Sequence, residues 1–207
     1  NAADICSGVQ RCAAASAASA AAGVVSRATA SWIARTISSA SPGAKVAVLA
    51  PNGLNWVITL FAVALSGRQL VPLNPALSPR EVQQLLDDCG AELLVTTDVP
   101  GGRALLAESA LLVEALPGLR DVLDLESWPA DPTDPELPEV RPQDNFLVQY
   151  TSGTTGQPKG ALLTHHAVTT SARTMTAALE TGDHEVWVSP MPLFHVGALV
   201  AHAVALA

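Results

Sequence analysis

Short apolar runs alternate with helical patterns between residues 45 and 125 of this 207-residue chain. Residues 45–50 (K-V-A-V-L-A) form a brief run that Pro51 and Gly53 interrupt, which is typical of a strand buried on both faces. Similar signals predict strands at 69–73, 93–96 and 122–125, and helices at 54–65, 79–89 and 104–116. This alternation predicts βαβ units, and therefore an α/β fold in which helices flank a mostly parallel sheet.

The helix predicted at residue 79 has the clearest boundaries. Ser78 is a candidate N-cap, Pro79 occupies the first helical position, and Glu81 completes a capping box. Gly90 follows as a stop, because glycine readily adopts the left-handed conformation that ends many helices.

Charge and cysteine usage exclude several classes of function. The formal net charge is −8, and residues 81–144 carry fifteen acids against three Lys or Arg. Because no basic patch interleaved with aromatic residues appears, nucleic acid is not expected to be the main partner. The three cysteines are too few and too scattered for a disulfide framework or a zinc site, which favours a cytoplasmic location with reduced thiols.

Two segments lack the βα alternation. Residues 1–41 are rich in alanine and serine, and residues 127–143 hold five prolines and four acids, a composition that favours a surface linker. Beyond the linker, the sequence predicts a strand that leads to Tyr150, a hairpin partner at 161–163, a helix at 164–179, a strand at 185–188 and a helix after Pro192. No stretch approaches the ~18 uncharged apolar residues that a membrane-spanning helix needs.

Residues 150–160 (Y-T-S-G-T-T-G-Q-P-K-G) form the most informative motif for function. Glycines let a backbone approach a ligand closely, and hydroxyls, backbone N–H groups and one lysine together suit an anionic polyphosphate. The motif is not a Walker A loop, because Pro158 stands where the second glycine of that pattern belongs. The alternative is a Gly/Thr-rich hairpin turn that merely joins two strands.

The order T-S-G-T-T-G-x-P-K-G after an apolar strand resembles the phosphate loop of the adenylate-forming enzymes, the superfamily of acyl-CoA synthetases, aryl-CoA ligases and related adenylation domains. Residues 42–53 and 64–77 also resemble successive steps of the large N-terminal domain of that family. The resemblance thus covers residues 42–207 and implies an AMP-binding domain. His165, just after the loop, also fits the family, where this position begins a helix; no chemistry is assigned to it.

The resemblance assigns roles to the loop residues. It implies that Thr151 helps to hold Mg²⁺ and that Lys159 adds a positive charge at the base of the loop. The residues that would surround the leaving phosphates of ATP are Ser152, Gly153, Thr154, Thr155 and Gly156.

A second motif, P-M-P-L-F-H at 190–195, is similar to the segment that borders the acyl pocket in acyl- and aryl-CoA synthetases. Relatives that activate amino acids place an aspartate after the phenylalanine, since a substrate ammonium needs an anionic partner. Here that position is His195, so the resemblance implies a carboxylic acid without an α-amino group. The alternative for His195 is a core histidine bonded to the backbone.

Measured against the family pattern, the chain is expected to be an incomplete N-terminal domain. Residues 1–41 lack the usual opening element, and the C-terminal domain with its lysine corresponds to no residue here, so no catalytic residue is assigned. The resemblance implies a parent ligase that activates a fatty or aryl acid with ATP and Mg²⁺, transfers it to coenzyme A, and is inactive as this piece alone. A truncated module that binds nucleotide without turnover remains the alternative.

Overall fold

The structure, a computed structural model, describes residues 33–34, 36–127, 137–151, 158–180 and 190–204. Most of the Ala/Ser-rich segment, part of the predicted linker, and the strand predicted at 185–188 lie outside the described residues. Within them, no helix is long and apolar enough to cross a membrane.

From β1 to β4, strands and helices alternate in the predicted order. The strands are β1 (Lys45–Leu49), β2 (Gln69–Leu73), β3 (Ala91–Thr96), β4 (Asp121–Asp124), β5 (Asn145–Thr151) and β6 (Lys159–Thr164). The helices are α1 (Leu54–Leu65), α2 (Pro79–Cys89), α3 (Leu105–Ala115), α4 (His165–Leu179) and α5 (Val196–Val204). The capping box at Ser78 is confirmed, and α4 begins at His165 because the Thr164 hydroxyl accepts the Ala167 N–H as its N-cap.

The six strands form one sheet in the order β4-β3-β1-β2-β5-β6. The pairings from β4 through to β5 are parallel, whereas β6 runs antiparallel to β5. The mostly parallel sheet and the hairpin partner after the loop are therefore both confirmed. The carboxyl ends of the parallel strands meet at one edge, the edge at which open α/β sheets bind ligands.

The sheet is covered on both faces near its centre. In β1, Val46 and Val48 belong to the core against α1, while Ala47 and Leu49 belong to the core against α2 and α3. Because both faces of β1 are buried, its sequence is a continuous apolar run rather than an alternating one.

A buried arginine joins the start of β2 to the segment before β1. Gly67 adopts a left-handed conformation (φ +67°) that ends α1, and Arg68 follows it with 7% exposure. Its guanidinium donates to the carbonyl oxygens of Ser38 (3.1 Å), Ala40 (2.7 Å) and Ser66. The bonds to Ala40 and Ser66 are buried and the bond to Ser38 is partly buried, so the arginine supplies donors where water has little access.

Candidate nucleotide and acyl site

The predicted phosphate loop begins and ends at one cross-strand pair. Thr151, the last residue of β5, lies opposite Lys159, the first residue of β6. Both residues are exposed, and the Thr151 hydroxyl donates to the Lys159 carbonyl oxygen over a long distance of 3.5 Å. The structure therefore puts a hydroxyl and an ammonium at the mouth of the connection, on the edge where the parallel strands end.

The other loop residues predicted to contact phosphate lie outside the described residues. These are Ser152, Gly153, Thr154, Thr155 and Gly156. Their roles remain predictions.

Gly160 belongs to strand β6 rather than to the connection. It pairs with Tyr150 of β5, and a Cβ at this glycine would lie 3.0 Å from Val148 Cγ1 and 3.5 Å from the Tyr150 ring. The last glycine of the motif therefore leaves room for two side chains of the neighbouring strand. The sequence alone groups Gly160 with the ligand-binding glycines of the motif, because it does not show where the strand begins.

The Tyr150 side chain joins strand β5, which leads into the loop, to helix α2. Its hydroxyl donates to the carboxylate of Asp88, near the end of α2. Burial raises the pKa of the Tyr150 phenol, and the bond to Asp88 raises it further. The phenol therefore stays protonated and remains a donor, which holds β5 in place two residues before Ser152. Sequence reasoning missed this contact.

The second predicted motif packs against the same edge of the sheet. Leu193 is 3% exposed within the core that α1 covers. Its backbone N–H donates to Oδ1 of the Asn52 side chain at 2.8 Å. Asn52 also donates to the Met191 carbonyl oxygen at 2.9 Å. From β5, the Gln149 amide reaches the Phe194 carbonyl oxygen at 3.4 Å. The segment 190–195 thus contacts the residues that follow β1 and the strand that leads into the loop.

His195 stands at the start of α5 and is exposed. Its carbonyl oxygen accepts the N–H groups of Ala198 and Leu199, and its ring Nδ1 accepts that of Gly197 at 3.4 Å. The ring is therefore bonded to backbone as the alternative interpretation held, but it lies at the surface and not in a core.

His165 is the buried histidine of this region. It is 1% exposed, its ring stacks on Phe146 with centroids 4.8 Å apart, and neither ring nitrogen has a hydrogen-bond partner. Burial lowers the pKa of His165 to about 4, although the charge of Asp144 opposes the shift. Its position at the first residue of α4 fits a packing role.

Known proteins resemble the chain over most of its length. The family model described as AMP-binding enzyme matches residues 26–207. A feruloyl-CoA synthase from an Amycolatopsis species is 35% identical over 158 residues, covering 76% of this chain and 30% of that protein. The indoleacetate–CoA ligase of Aromatoleum aromaticum is 36% identical over 163 residues, covering 74% and 31%. The long-chain-fatty-acid–CoA ligase FadD13 of Mycobacterium tuberculosis is 30% identical over 168 residues, covering 76% and 32%. The chain therefore spans less than a third of the length of these relatives.

Solved structures show the same fold. The N-terminal domain of FACL13 from Mycobacterium tuberculosis has a TM-score of 0.72 at 27% identity, covering 86% of this chain and 46% of that one. The long-chain-fatty-acid-CoA ligase FadD1 of Archaeoglobus fulgidus has a TM-score of 0.72 at 28% identity, covering 88% and 37%. With the sheet, the loop-bearing hairpin and these matches together, the chain belongs to the AMP-binding enzyme family and forms part of the N-terminal domain of adenylate-forming enzymes.

Proposed function

We propose that this chain is the nucleotide-binding part of an acid–thiol ligase. The parent enzyme uses ATP to convert a fatty or aryl carboxylic acid to an acyl-adenylate and then transfers the acyl group to coenzyme A. The observation that carries the proposal is the meeting of two motifs. Gln149, the residue just before the phosphate motif at 150–160, contacts the carbonyl of Phe194 in the acyl-pocket motif.

The proposed roles follow the positions of the side chains. Thr151 and Lys159 stand at the two ends of the loop, where a hydroxyl can reach Mg²⁺ and an ammonium can reach phosphate oxygens. Ser152, Gly153, Thr154, Thr155 and Gly156 would enclose the phosphates. His195 would border the acid.

The donors that are present suit magnesium held together with a nucleotide. The described residues contain no group of three His, Cys, Asp or Glu side chains that could hold a metal ion. Magnesium often binds through substrate phosphates, waters and only one or two protein oxygens, so the exposed Thr151 hydroxyl fits this mode. The ion would neutralise negative charge on the phosphates.

The chain's own contribution to the first chemical step would be positioning. A carboxylate oxygen attacks the α-phosphorus of ATP, and pyrophosphate leaves. Backbone N–H groups and Lys159 would hold the leaving phosphates, while the segment ending at His195 would hold the acid in line with them. Fixed geometry and charge neutralisation of this kind lower a barrier without a protein nucleophile.

The acid is proposed to lack an α-amino group. His195 offers no carboxylate to an ammonium, and the relatives named above are described by feruloyl, indoleacetate and long-chain fatty acyl substrates. An amino acid would find a histidine rather than an anionic partner for its ammonium at this position, so it would lack the ion pair that favours its binding.

The test is carboxylate-dependent exchange of labelled pyrophosphate into ATP. It is run on the 207-residue chain and on the product of the complete gene, with fatty acids, aryl acids and amino acids in parallel. We expect exchange with simple acids in the complete product and none in the 207-residue chain. Exchange that is strongest with amino acids would refute the acid class. Nucleotide binding without exchange in the folded complete product would favour a non-catalytic module.

A further inference from the structure

We propose that Asn52 is a positioning residue for the acid side of the site, a role that rests on the proposed function. Its side-chain amide holds the backbone at Met191 and Leu193 and so fixes where Phe194 and His195 stand. Asn52 lies just after β1, 139 residues from Met191 along the chain. No pattern in the acyl-pocket motif itself points to it.

The geometry uses both ends of one amide. The Asn52 Oδ1 accepts the Leu193 N–H at 2.8 Å, and the Nδ2 donates to the Met191 carbonyl at 2.9 Å. Only a side chain with a donor and an acceptor on one short stem makes both bonds to residues two apart. Aspartate supplies the acceptor but not the donor, and glutamine is longer by one methylene.

Asn52 orients the first half of the segment 190–195, because the other hydrogen bonds of this segment involve its second half or are long. Pro192 has no N–H, and its carbonyl accepts the His195 N–H at 3.0 Å in a tight turn. Gln149 contacts the Phe194 carbonyl only at 3.4 Å. The buried Leu193 side chain fixes the depth of the segment, and the Asn52 amide fixes its rotation about that anchor. Phe194 is thereby presented half-buried, and His195 exposed.

A change at Asn52 should therefore affect the acid rather than the nucleotide. Among the described residues, the two hydrogen bonds of the Asn52 side chain reach the segment that ends at His195, and neither reaches Thr151 or Lys159. Misplacing a substrate-positioning segment by a fraction of an ångström is enough to weaken binding and slow the reaction.

The first readout is hydrogen exchange of the Leu193 backbone amide in the complete gene product. Asn52→Ala removes the acceptor, and we expect this amide to exchange about tenfold faster, the effect of one net hydrogen bond. Asn52→Asp keeps the acceptor, so protection should persist. The matched control is Asn55→Ala, which removes an amide that bonds Glu126 and should leave Leu193 unchanged.

The second readout is pyrophosphate exchange by the complete gene product. We expect Asn52→Ala to raise the KM for the carboxylate about tenfold, with the KM for ATP unchanged, because a segment that has lost both bonds to Asn52 presents the acid pocket less often in its binding geometry. Asn55→Ala should change neither constant. A variant that merely loses stability would reduce the active fraction and leave both KM values alone.

The outcomes separate this proposal from the function on which it rests. Unchanged Leu193 exchange in Asn52→Ala overturns the positioning role whatever the enzyme does. Faster exchange with an unaltered carboxylate KM in an active enzyme overturns the role in acid binding. A folded wild-type product that shows no exchange with any acid refutes the proposed function, and the acid-side role fails with it.

Discussion

Strands β1 and β6 differ in almost every property although they belong to one sheet. Four of the five residues of β1 are buried, and helices cover both of its faces. In β6, residues 159–162 are exposed, and Leu162 retains 52% of its accessible surface. The centre of the sheet supplies the buried apolar area, which frees the edge hairpin to carry glycines, hydroxyls and a lysine that contribute little to a core.

From Phe146 onward, strand β5 changes from buried to exposed along its length. Phe146, Leu147 and Val148 are buried, Gln149 and Tyr150 are half-buried, and Thr151 is exposed. An open groove of about 390 Å³ lies beside it, lined by residues of β5 and β6 and by Asp88 and Cys89 at the end of α2. The candidate site therefore sits where covered parallel sheet gives way to an exposed antiparallel hairpin.

Matched Leu→Ala substitutions test this contrast most directly. Leu94 in β3 is fully buried, and we expect Leu94→Ala to lower the free energy of unfolding by about 3 kcal/mol through lost burial and a cavity. Leu162→Ala should change it by less than about 0.5 kcal/mol, as at other exposed positions. Urea denaturation of both variants measures the difference. Equal costs would mean that β6 is covered in solution.

Substitutions of Arg68 and Arg120 test whether the burial of an arginine, or its hydrogen bonds alone, stabilises the region before β1. Arg68→Met removes the donors to three carbonyls, two of them in buried bonds, and we expect the free energy of unfolding to fall by about 2 kcal/mol. Arg120 donates to the neighbouring carbonyl of Ser39 but has a side chain 56% exposed, so Arg120→Met should cost less than about 0.5 kcal/mol. The same denaturation experiment compares them. A similar loss in both would show that exposed arginine bonds matter equally here.

The pH dependence of stability tests how α4 joins the hairpin. His165 binds a proton near pH 6.5 when unfolded but only near pH 4 when folded, because burial disfavours the charged ring. Between these values the unfolded chain binds more protons, so the free energy of unfolding falls as the pH drops, by up to about 1.4 kcal/mol per unit. His165→Phe should remove this part of the slope without losing a hydrogen bond, since neither ring nitrogen has a partner.

The control for that experiment is the neighbouring His166, which is exposed. His166→Phe should retain the wild-type slope between pH 6.5 and 4. If His165→Phe retains it as well, the buried imidazole is not the group that titrates.

The sequence was sufficient for the elements and insufficient for their long-range contacts. Local patterns of apolar, capping and turn residues predict strands β1 to β4, the capping box at Ser78 and the hairpin partner of β5. Such patterns lie in neighbouring residues of the sequence, so they can be identified without the fold. The bonds from Asn52 to Leu193 and from Tyr150 to Asp88 join residues 141 and 62 positions apart. A polar side chain carries no periodic signal for such a partner, so only the folded chain shows the pairing.

The sequence also does not show that the glycines of the motif at 150–160 have different roles. Gly160 lies in β6 with ordinary backbone angles, and what requires glycine there is the Val148 methyl 3.0 Å from where a Cβ would be. In one sequence without its structure, a glycine needed for packing looks the same as a glycine needed for ligand approach.

The smallest predicted effect concerns this glycine and shows how rigid the edge hairpin is. Gly160→Ala forces Val148 or the strand to move, and we expect a loss of about 1 kcal/mol, the low end for overpacking. Gly118→Ala is the matched control, since a Cβ at Gly118 would meet no atom within 4 Å and its φ is not positive, so it should be neutral or slightly stabilising.

Combining Gly160→Ala with Val148→Ala removes the close contact, so the double variant should be more stable than the sum of the two single effects implies. Additive losses would show instead that β6 shifts freely away from β5, and that the edge hairpin holds the ends of the phosphate loop less firmly than the pairing of Thr151 with Lys159 indicates.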